Sequence, residues 1–129
     1  MINSNAFDYI DVLDKAADAS YLRHEAITNN IANATTPNYK RQDVSFESEL
    51  ERALTNTRYT SMDEKVSNAT TDDLSARTYT DYDSVSYRLD GNNVDIETEN
   101  VMMVKNQIKY NALLTSINEE FSNLKSVMK

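Results

Sequence analysis

Apolar and small residues near the start of the chain recur at alternating spacings of three and four residues, the period of a helix that packs through one seam. The stripe consists of Ile10, Leu13, Ala17, Ser20, His24, Ile27, Ile31 and Ala34. It predicts a helix over about residues 5–34. Pro37 ends it, because a proline disfavours helical backbone in the residue before it.

The last part of the chain, about residues 96–128, shows the same period over a wider face. Its best stripe consists of Tyr110, Leu114, Ile117, Phe121, Leu124 and Met128. Val101, Val104 and Ile108 form a second stripe, offset from the first around the helix. Asp95 precedes the segment as an N-cap. A helix with so broad an apolar face needs more than one neighbour.

The segment between these two helices is polar. Phe46, Leu50 and Leu54 lie at i, i+4 and i+8 and predict a short helix over residues 45–54. Residues 55–84 are rich in Thr, Ser, Asp, Asn and Tyr, which predicts loop, extended or disordered chain. Residues 85–89 alternate between apolar and polar and predict a short β segment, followed by a turn at the Asp-Gly pair of residues 90–91.

These patterns predict a mainly α fold, with long N- and C-terminal helices packed as an antiparallel coiled-coil-like pair. Residues 1–36 and 94–129 together form the predicted inner helical domain, and residues 37–93 form the polar, largely extended or disordered middle. Burial of the few large apolar side chains offsets only part of the entropy lost in ordering two such helices. We therefore expect contacts with other chains to complete the core. The alternative is a small bundle closed by the 45–54 helix, and the balance of burial against lost entropy favours it less.

Composition and charge exclude several classes of function. The 129 residues include one Gly, one Pro and no Cys, with a formal net charge of −8. So little Gly argues against phosphate-cradling loops, dinucleotide folds and all-β sandwiches, and the lack of Cys removes disulfides and thiolate sites. The negative charge leaves no electrostatic basis for nucleic-acid binding. We find no apolar run that could span a bilayer and no cleavable secretory signal.

Candidate catalytic and metal-binding motifs are incomplete. His24-Glu25 lacks the second histidine of the zinc-protease motif, because Thr28 stands at that position. A cluster of acids and amides suggests a calcium loop but does not have the EF-hand spacing: Asp90, Asn92, Asn93, Asp95 and Glu97. We therefore expect no catalytic residue, no metal, no cofactor and no enzymatic activity.

Two segments resemble the bacterial flagellar rod and hook protein family. Residues 29–41 are NNIANATTPNYKR, close to the family form NNIANxxTPGYK. Residues 87–97 are YRLDGNNVDIE, and residues 106–113 are NQIKYNAL. Within the family, the combination of residues 87–97 with residues 106–113, which together make up the second segment, is most similar to the proximal rod protein. Asn38 stands where the family commonly has Gly, and since Asn tolerates left-handed backbone best among other residues, we expect the turn to persist.

The resemblance implies a structural subunit of the proximal rod of the flagellar basal body. Such proteins are exported by the flagellar type III apparatus without a cleaved signal, and polymerise through their terminal helices into the torque-transmitting rod in the cell envelope. The implied partners are other rod subunits, membrane-ring components and the export gate, in a homo- and hetero-oligomeric helical assembly. The alternative from the residues alone is a soluble helical adaptor or chaperone-like module that binds a partner helix.

Two sets of residues are the candidate sites. The interface set lies on two helix faces: Ile10, Leu13, Ile27, Ile31, Leu114, Ile117, Phe121 and Leu124. The signature-turn set lies at the ends of the middle segment: Asn29, Asn30, Asn33, Pro37, Asp90, Gly91, Asn92 and Asn93. We expect the first turn to redirect the chain from the inner helix to the middle segment and to contact neighbouring subunits. A charge at Ile117 or Leu124 is expected to abolish assembly.

Overall fold

The computed structural model describes residues 5–55, 61–69, 74–82 and 88–128. Its elements follow the chain in this order: α1 (Asn5–Ala32), β1 (Gln42–Ser45), α2 (Glu47–Leu54), α3 (Met62–Ala69), β2 (Arg77–Thr80) and α4 (Ile96–Val127). The predicted mainly α fold with long terminal helices is confirmed.

The two long helices, α1 and α4, form an antiparallel pair. Asn30 at the end of α1 contacts Glu99 at the start of α4, and Ser20 near the middle of α1 contacts Asn106. Residue numbers therefore fall along α1 as they rise along α4. Asp95 is the N-cap of α4, as predicted, and its carboxylate accepts hydrogen bonds from two main-chain N–H groups of the first turn.

The middle of the chain packs on the helix pair through a small apolar core. Ala16 and Ala19 of α1 are buried together with Phe46 and Leu74. β1 and β2 pair antiparallel, with Gln42 opposite Thr80 at one end. The predicted short helix is α2, which begins two residues later than expected because Ser45 is the last residue of β1, paired with Arg77, and Phe46 is the N-cap. The domain boundaries at residues 36–37 and 93–94 stay a prediction.

The expectation of loop, extended or disordered chain for residues 55–84 is wrong at α3, which is helical, whereas β2 is extended as that prediction allows. Ser61 caps α3, since its hydroxyl oxygen accepts from the main-chain N–H of Glu64 at 3.2 Å. Val66 and Ala69 are buried, so α3 has a tertiary partner that its polar sequence does not reveal. β2 is stabilised by pairing with β1, a partner more than 30 residues away. Residues 56–60, 70–73 and 83–84 of the same prediction lie outside the described residues.

A β segment was predicted over residues 85–89, but the described strands lie at Gln42–Ser45 and Arg77–Thr80. Residues 85–87 are outside the described part of the chain, and Arg88 and Leu89 form a bend and a turn. The main-chain N–H of Gly91 donates to the carbonyl of Arg88 at 3.2 Å, which closes this turn. The strand prediction is therefore wrong at residues 88 and 89, because the Asp-Gly turn begins earlier than its glycine suggests.

Candidate functional site: a polar junction and an exposed helix face

The two signature turns meet at the C-terminal end of α1. Asn92 is buried, and its side-chain amide donates to the carbonyls of Asn33, Ala34 and Thr36 at 2.9, 3.1 and 2.9 Å. Carbonyls that follow the end of a helix have no partner within the helix. One side chain from the second turn therefore lies within hydrogen-bond distance of three carbonyls of the first, which also accept from Thr36, Tyr39 and Arg88, and it joins segments almost 60 residues apart.

Two residues of this junction have left-handed backbone. Asn38 has φ of 61° and Gly91 has φ of 78°, so the predictions made for both positions are confirmed. The main-chain N–H of Asn38 donates to the carbonyl of Asp90 at 2.7 Å. A Cβ on Gly91 would lie 2.7 Å from Oδ1 of Asn38. Glycine is therefore favoured at position 91 chiefly by its backbone angle, and a larger residue would in addition displace the Asn38 side chain.

The remaining members of the signature-turn set divide between buried and exposed positions. Oδ1 of Asn93 accepts from the main-chain N–H of Arg41 at 2.7 Å, and its amide donates to the carbonyl of Asp81 at 2.8 Å. Asn93 thereby holds the chain that leads into β1 next to the chain that follows β2. Asn29 and Pro37 are exposed at the surface of the first turn.

Below the turns lies a buried polar cluster that ties three elements together. The Asn30 side chain is fully buried, and its amide donates to the carbonyl of Gln42 at 2.8 Å and to Glu99 Oε2 at 3.2 Å. Its Oδ1 accepts from the main-chain N–H of Gln42 at 2.8 Å. Glu99 is also buried and accepts from Nε of Arg41 at 2.8 Å. α1, β1 and α4 are therefore held by one set of side chains.

Arg41 is the cation at the centre of this cluster. Besides Glu99, its guanidinium pairs with Asp81 at 2.7 Å and with Asp43 at 3.4 Å. Burial alone would lower the pKa of Arg41, but the hydrogen bonds to Glu99 and Asp81 outweigh it and the pKa is raised. Arg41 therefore stays charged. It compensates the negative charges of Glu99 in the first turn of α4, Asp43 in β1 and Asp81, which follows β2.

The ion pairs continue from Asp43 towards α2 and the middle of α4. Arg23 lies 3.6 Å from Asp43 and donates two hydrogen bonds of 2.6 Å to the carboxylate of Glu47. Lys109 of α4 also donates to Glu47. The hydrogen bond from Arg23 lowers the pKa of Glu47 to about 2. α4 is thus tied to the middle segment at Glu99 and again at Lys109.

The predicted interface residues on α1 face into the chain's own core. Ile10 and Ile27 are buried, and Leu13 and Ile31 are half-buried. In this fold these side chains support the helix pair, and their role at a subunit interface stays a prediction.

The predicted interface residues on α4 divide into two groups. Ile117 and Leu124 are half-buried against the rest of the chain. Leu114 and Phe121 are exposed, Phe121 by 52%. At 100° per residue, the stripe predicted for α4 lies on the same side of the helix as the buried Glu99 and Asn106, with Leu114 and Phe121 at its exposed edge.

The second predicted stripe of α4 forms an outward face. Val101, Val104 and Ile108 are exposed by 53%, 57% and 65%. Glu99 and Asn106, by contrast, are buried. At 100° per residue, the three apolar residues lie on the side of the helix opposite these two polar ones. We call Val101, Val104 and Ile108 the outward face of α4.

Three residues that organise this site were missed by the sequence analysis: Arg41, Glu99 and Asn106. The pattern of apolar residues does not mark them, because all three are charged or polar. A usable signal was present: residues 99, 103, 106, 110, 113 and 117 keep the alternating three-four spacing of a seam. Glu99 and Asn106 occupy equivalent places in it, seven residues apart.

Metal-binding geometry is not found in the described residues, among which no group of three or more His, Cys, Asp or Glu could hold an ion. His24 is exposed, and its carbonyl accepts from the Thr28 hydroxyl at 2.8 Å. Among the helices that the structure describes, none combines the length and apolar character needed to cross a membrane.

Comparison with known proteins identifies close relatives over nearly the whole chain. The flagellar basal body rod protein FlgB of Bacillus subtilis (strain 168) is 34% identical, over 92% of this chain and 92% of the relative. FlgB of Borrelia hermsii is 36% identical, over 93% and 95%. FlgB of Cereibacter sphaeroides is 32% identical, over 95% and 94%. No family model matches the chain.

Proposed function

This chain belongs to the FlgB family of flagellar basal body rod proteins, and on that basis we propose that it polymerises through its terminal helices as a structural subunit of the proximal rod. In this role it forms part of the shaft that transmits torque, and it performs no catalysis. Its proposed partners are copies of itself, other rod subunits, the membrane ring and the export gate. We further propose that it is exported without cleavage of a signal.

The observation that carries the proposal is the outward face of α4. Val101, Val104 and Ile108 lie together on a helix, more than half exposed, on the side that α1 does not cover. Burying three such side chains at a contact would stabilise assembly by several kcal/mol in total, at about 1.5–3 kcal/mol for each fully buried side chain. A helix face of this kind supports a subunit contact.

We propose that the subunits form an open assembly and not a closed dimer. The outward face is on α4, whereas the exposed signature residues Asn29 and Pro37 lie at the end of α1. If one surface of each subunit meets a different surface of the next, the contact is heterologous and repeats without closing. Leu114 and Phe121 are also exposed, but they lie towards the seam side of α4 and form an apolar surface separate from the outward face.

A pair of substitutions tests the proposal in cells. Ile108→Asp places a charge in the outward face, and Gln107→Asp places the same charge at the adjacent exposed position. In a bacterium lacking its own copy of the gene, we expect Gln107→Asp to restore swimming and complete rods. Ile108→Asp should restore neither, although the purified variant keeps the helical circular dichroism of the parent.

Electron microscopy and composition of isolated basal bodies separate the alternatives. A rod subunit remains in purified basal bodies, and its deletion leaves them without a complete rod. Complete rods in the deletion strain, or absence of the chain from purified basal bodies, would favour the adaptor alternative. Complete rods built from Ile108→Asp would leave the rod function standing but remove the outward face of α4 from the interface.

A further inference from the structure

We propose that the outward face of α4 packs against the exposed side of α1 in a second copy of this chain, and that opposite charges on the two helices select this contact. The inference rests on the proposed rod function and deepens it, because it names the surface of the neighbouring subunit. Asp11, Asp14 and Asp18 are exposed along one side of α1, and we call them the acidic face of α1.

The acidic face of α1 points away from α4 of the same chain. At 100° per residue, Asp11, Asp14 and Asp18 lie within about 60° of one another around the helix. Asp18 lies about 200° from Ser20, whose carbonyl contacts α4. The three carboxylates form no ion pair with any residue that the structure describes. Like charges on one side of a helix destabilise it, so a cationic surface placed against them relieves that repulsion.

The middle of α4 carries the opposite charge, although the net charge of the chain is −8. Residues 100–118 contain Lys105 and Lys109 and no Asp or Glu. Lys105 is exposed, follows Val104 of the outward face, and forms no ion pair with a described residue. Lys109 pairs with Glu47, but its ammonium group has three donors and its side chain is 42% exposed. Both lysines can therefore pair with acids of another molecule.

The charges on the two helices have the same spacing. Lys105 and Lys109 are four residues apart, as are Asp14 and Asp18, and four residues span about 6 Å along a helix. Two helices that lie side by side can therefore form both pairs at once. Exposed ion pairs add little affinity, but they determine which surfaces meet. Burial of the outward face supplies the apolar part of the contact.

The apolar residues indicate the relative direction of the two helices. In an antiparallel contact, Lys105 lies opposite Asp18. Val101, one turn before Lys105, then lies beside Tyr21. Tyr21 is 58% exposed, so its ring is available for an apolar contact with Val101. In a parallel contact Val101 would lie opposite Ile10, which is already buried in its own chain. The antiparallel contact therefore buries more apolar surface.

A contact of this kind repeats from one copy to the next. Each copy has its cationic surface on α4 and its acidic face on α1, so the two contacting surfaces are unlike. Pairing of one acidic face with another is disfavoured, because like charges would then lie opposite each other. Unlike surfaces that meet in this way produce an open series of subunits.

Charge reversal tests the contact in a bacterium that lacks its own copy of the gene. Lys105→Glu places an acid opposite Asp18, and Asp18→Lys places a base opposite Lys105. We expect each single variant to lower the number of complete rods per cell at least about tenfold, because like charges then face each other at every contact.

Combining the two changes should restore assembly. The double variant places opposite charges at the contact again, and so does co-expression of the two single variants. In the second case one variant is acidic on both surfaces and the other is basic on both, so that their copies can alternate along the rod. We expect both combinations to return the number of complete rods to within about threefold of the parent.

Two control variants change charge elsewhere on the surface. Gln107→Glu adds an acid to α4 on the side away from Lys105, and Glu51→Lys reverses an exposed acid of α2. Both should build rods as the parent does. Circular dichroism of every purified variant should match that of the parent, since all four positions are exposed.

Two results would overturn the inference. One is a normal number of complete rods from either single variant. The other is failure of both combinations to restore rods, which would assign the two surfaces to contacts with other rod proteins. Either result leaves the proposed rod function standing, because that function fails on a different observation, complete rods in the deletion strain.

Discussion

α1 and α4 are similar in length, at 28 and 32 residues, but they use their apolar residues in opposite ways. α1 buries Ala19, Ala26 and Ile27. The buried residues of α4 among those described are Glu99 and Asn106, while its valines and isoleucines are largely exposed. The cause is the number of neighbours: α1 contacts α4, α3 and both strands, whereas the main contact of α4 is with α1.

The difference shows that burial follows the surroundings of a helix more than its apolar content. α1 is enclosed from several sides, so that even alanines become core residues. α4 is held at one side, its two buried residues among those described are polar, and Val101, Val104 and Ile108 remain available to a further molecule. The same chain therefore contains one helix that completes its own core and one that presents a surface.

The largest expected effect comes from breaking the polar attachment of α4. Glu99→Ala leaves the Arg41 guanidinium, 10% exposed, without its most buried partner. We expect a loss of about 3–5 kcal/mol in the free energy of unfolding, the usual result of removing one member of a buried ion pair. Chemical denaturation monitored by circular dichroism measures it.

Glu97→Ala is the matched control for that experiment. Glu97 is an exposed acid in the same first turn of α4, so its removal affects mainly the helix dipole, by about 0.3–1 kcal/mol. A similar loss in both variants would contradict the view that Glu99 anchors α4.

Replacing one isoleucine in each helix tests directly whether α1 is more enclosed than α4. Ile27→Ala in α1 removes a side chain that is 1% exposed, and we expect a loss of about 2–5 kcal/mol from lost burial and the cavity left behind. Ile108→Ala in α4 makes the same chemical change at a position that is 65% exposed, and the expected change is within about 0.5 kcal/mol. Equal losses in dilute monomer would show that α4 is as enclosed as α1.

The smallest expected effect is the acid sensitivity of the link between α2 and α4. Arg23 lowers the pKa of Glu47 from 4.5 to about 2. A carboxyl group with a lowered pKa contributes stability that is present above pH 4.5 and is lost as the pH falls towards 2. The melting temperature of the parent should therefore exceed that of Glu47→Gln near neutral pH, and the difference should shrink between pH 4.5 and 2.

Glu51→Gln, an exposed acid on the same helix, controls for the loss of one charge in that experiment. The effect is small because Glu47 is about half exposed, where solvent screens ion pairs. A difference between parent and Glu47→Gln that stays constant down to pH 2 would contradict the assignment of the ion pair.

Much of the fold was predictable, because its signals act over a few residues. Alternating three-four spacing located both long helices, and Asp95 marked the start of α4. The turn chemistry of Asn38 and Gly91 was also correct, since left-handed backbone is a property of the individual residue. α3 was missed although Ser61 and Glu64 have the spacing of a capping box, because the segment around them is polar.

The sequence by itself determined where the two long helices lie, that the chain turns at Asn38 and Gly91, and which family the signature segments resemble. Only the tertiary structure decided which polar residues of α4 are buried and which residues join the two turns. The physical reason is distance along the chain: Asn30 and Glu99 are 69 residues apart, and Ser20 and Asn106 are 86 apart. Local propensity cannot select such partners. They are selected when packing leaves a buried polar group only one place in which its hydrogen bond can form.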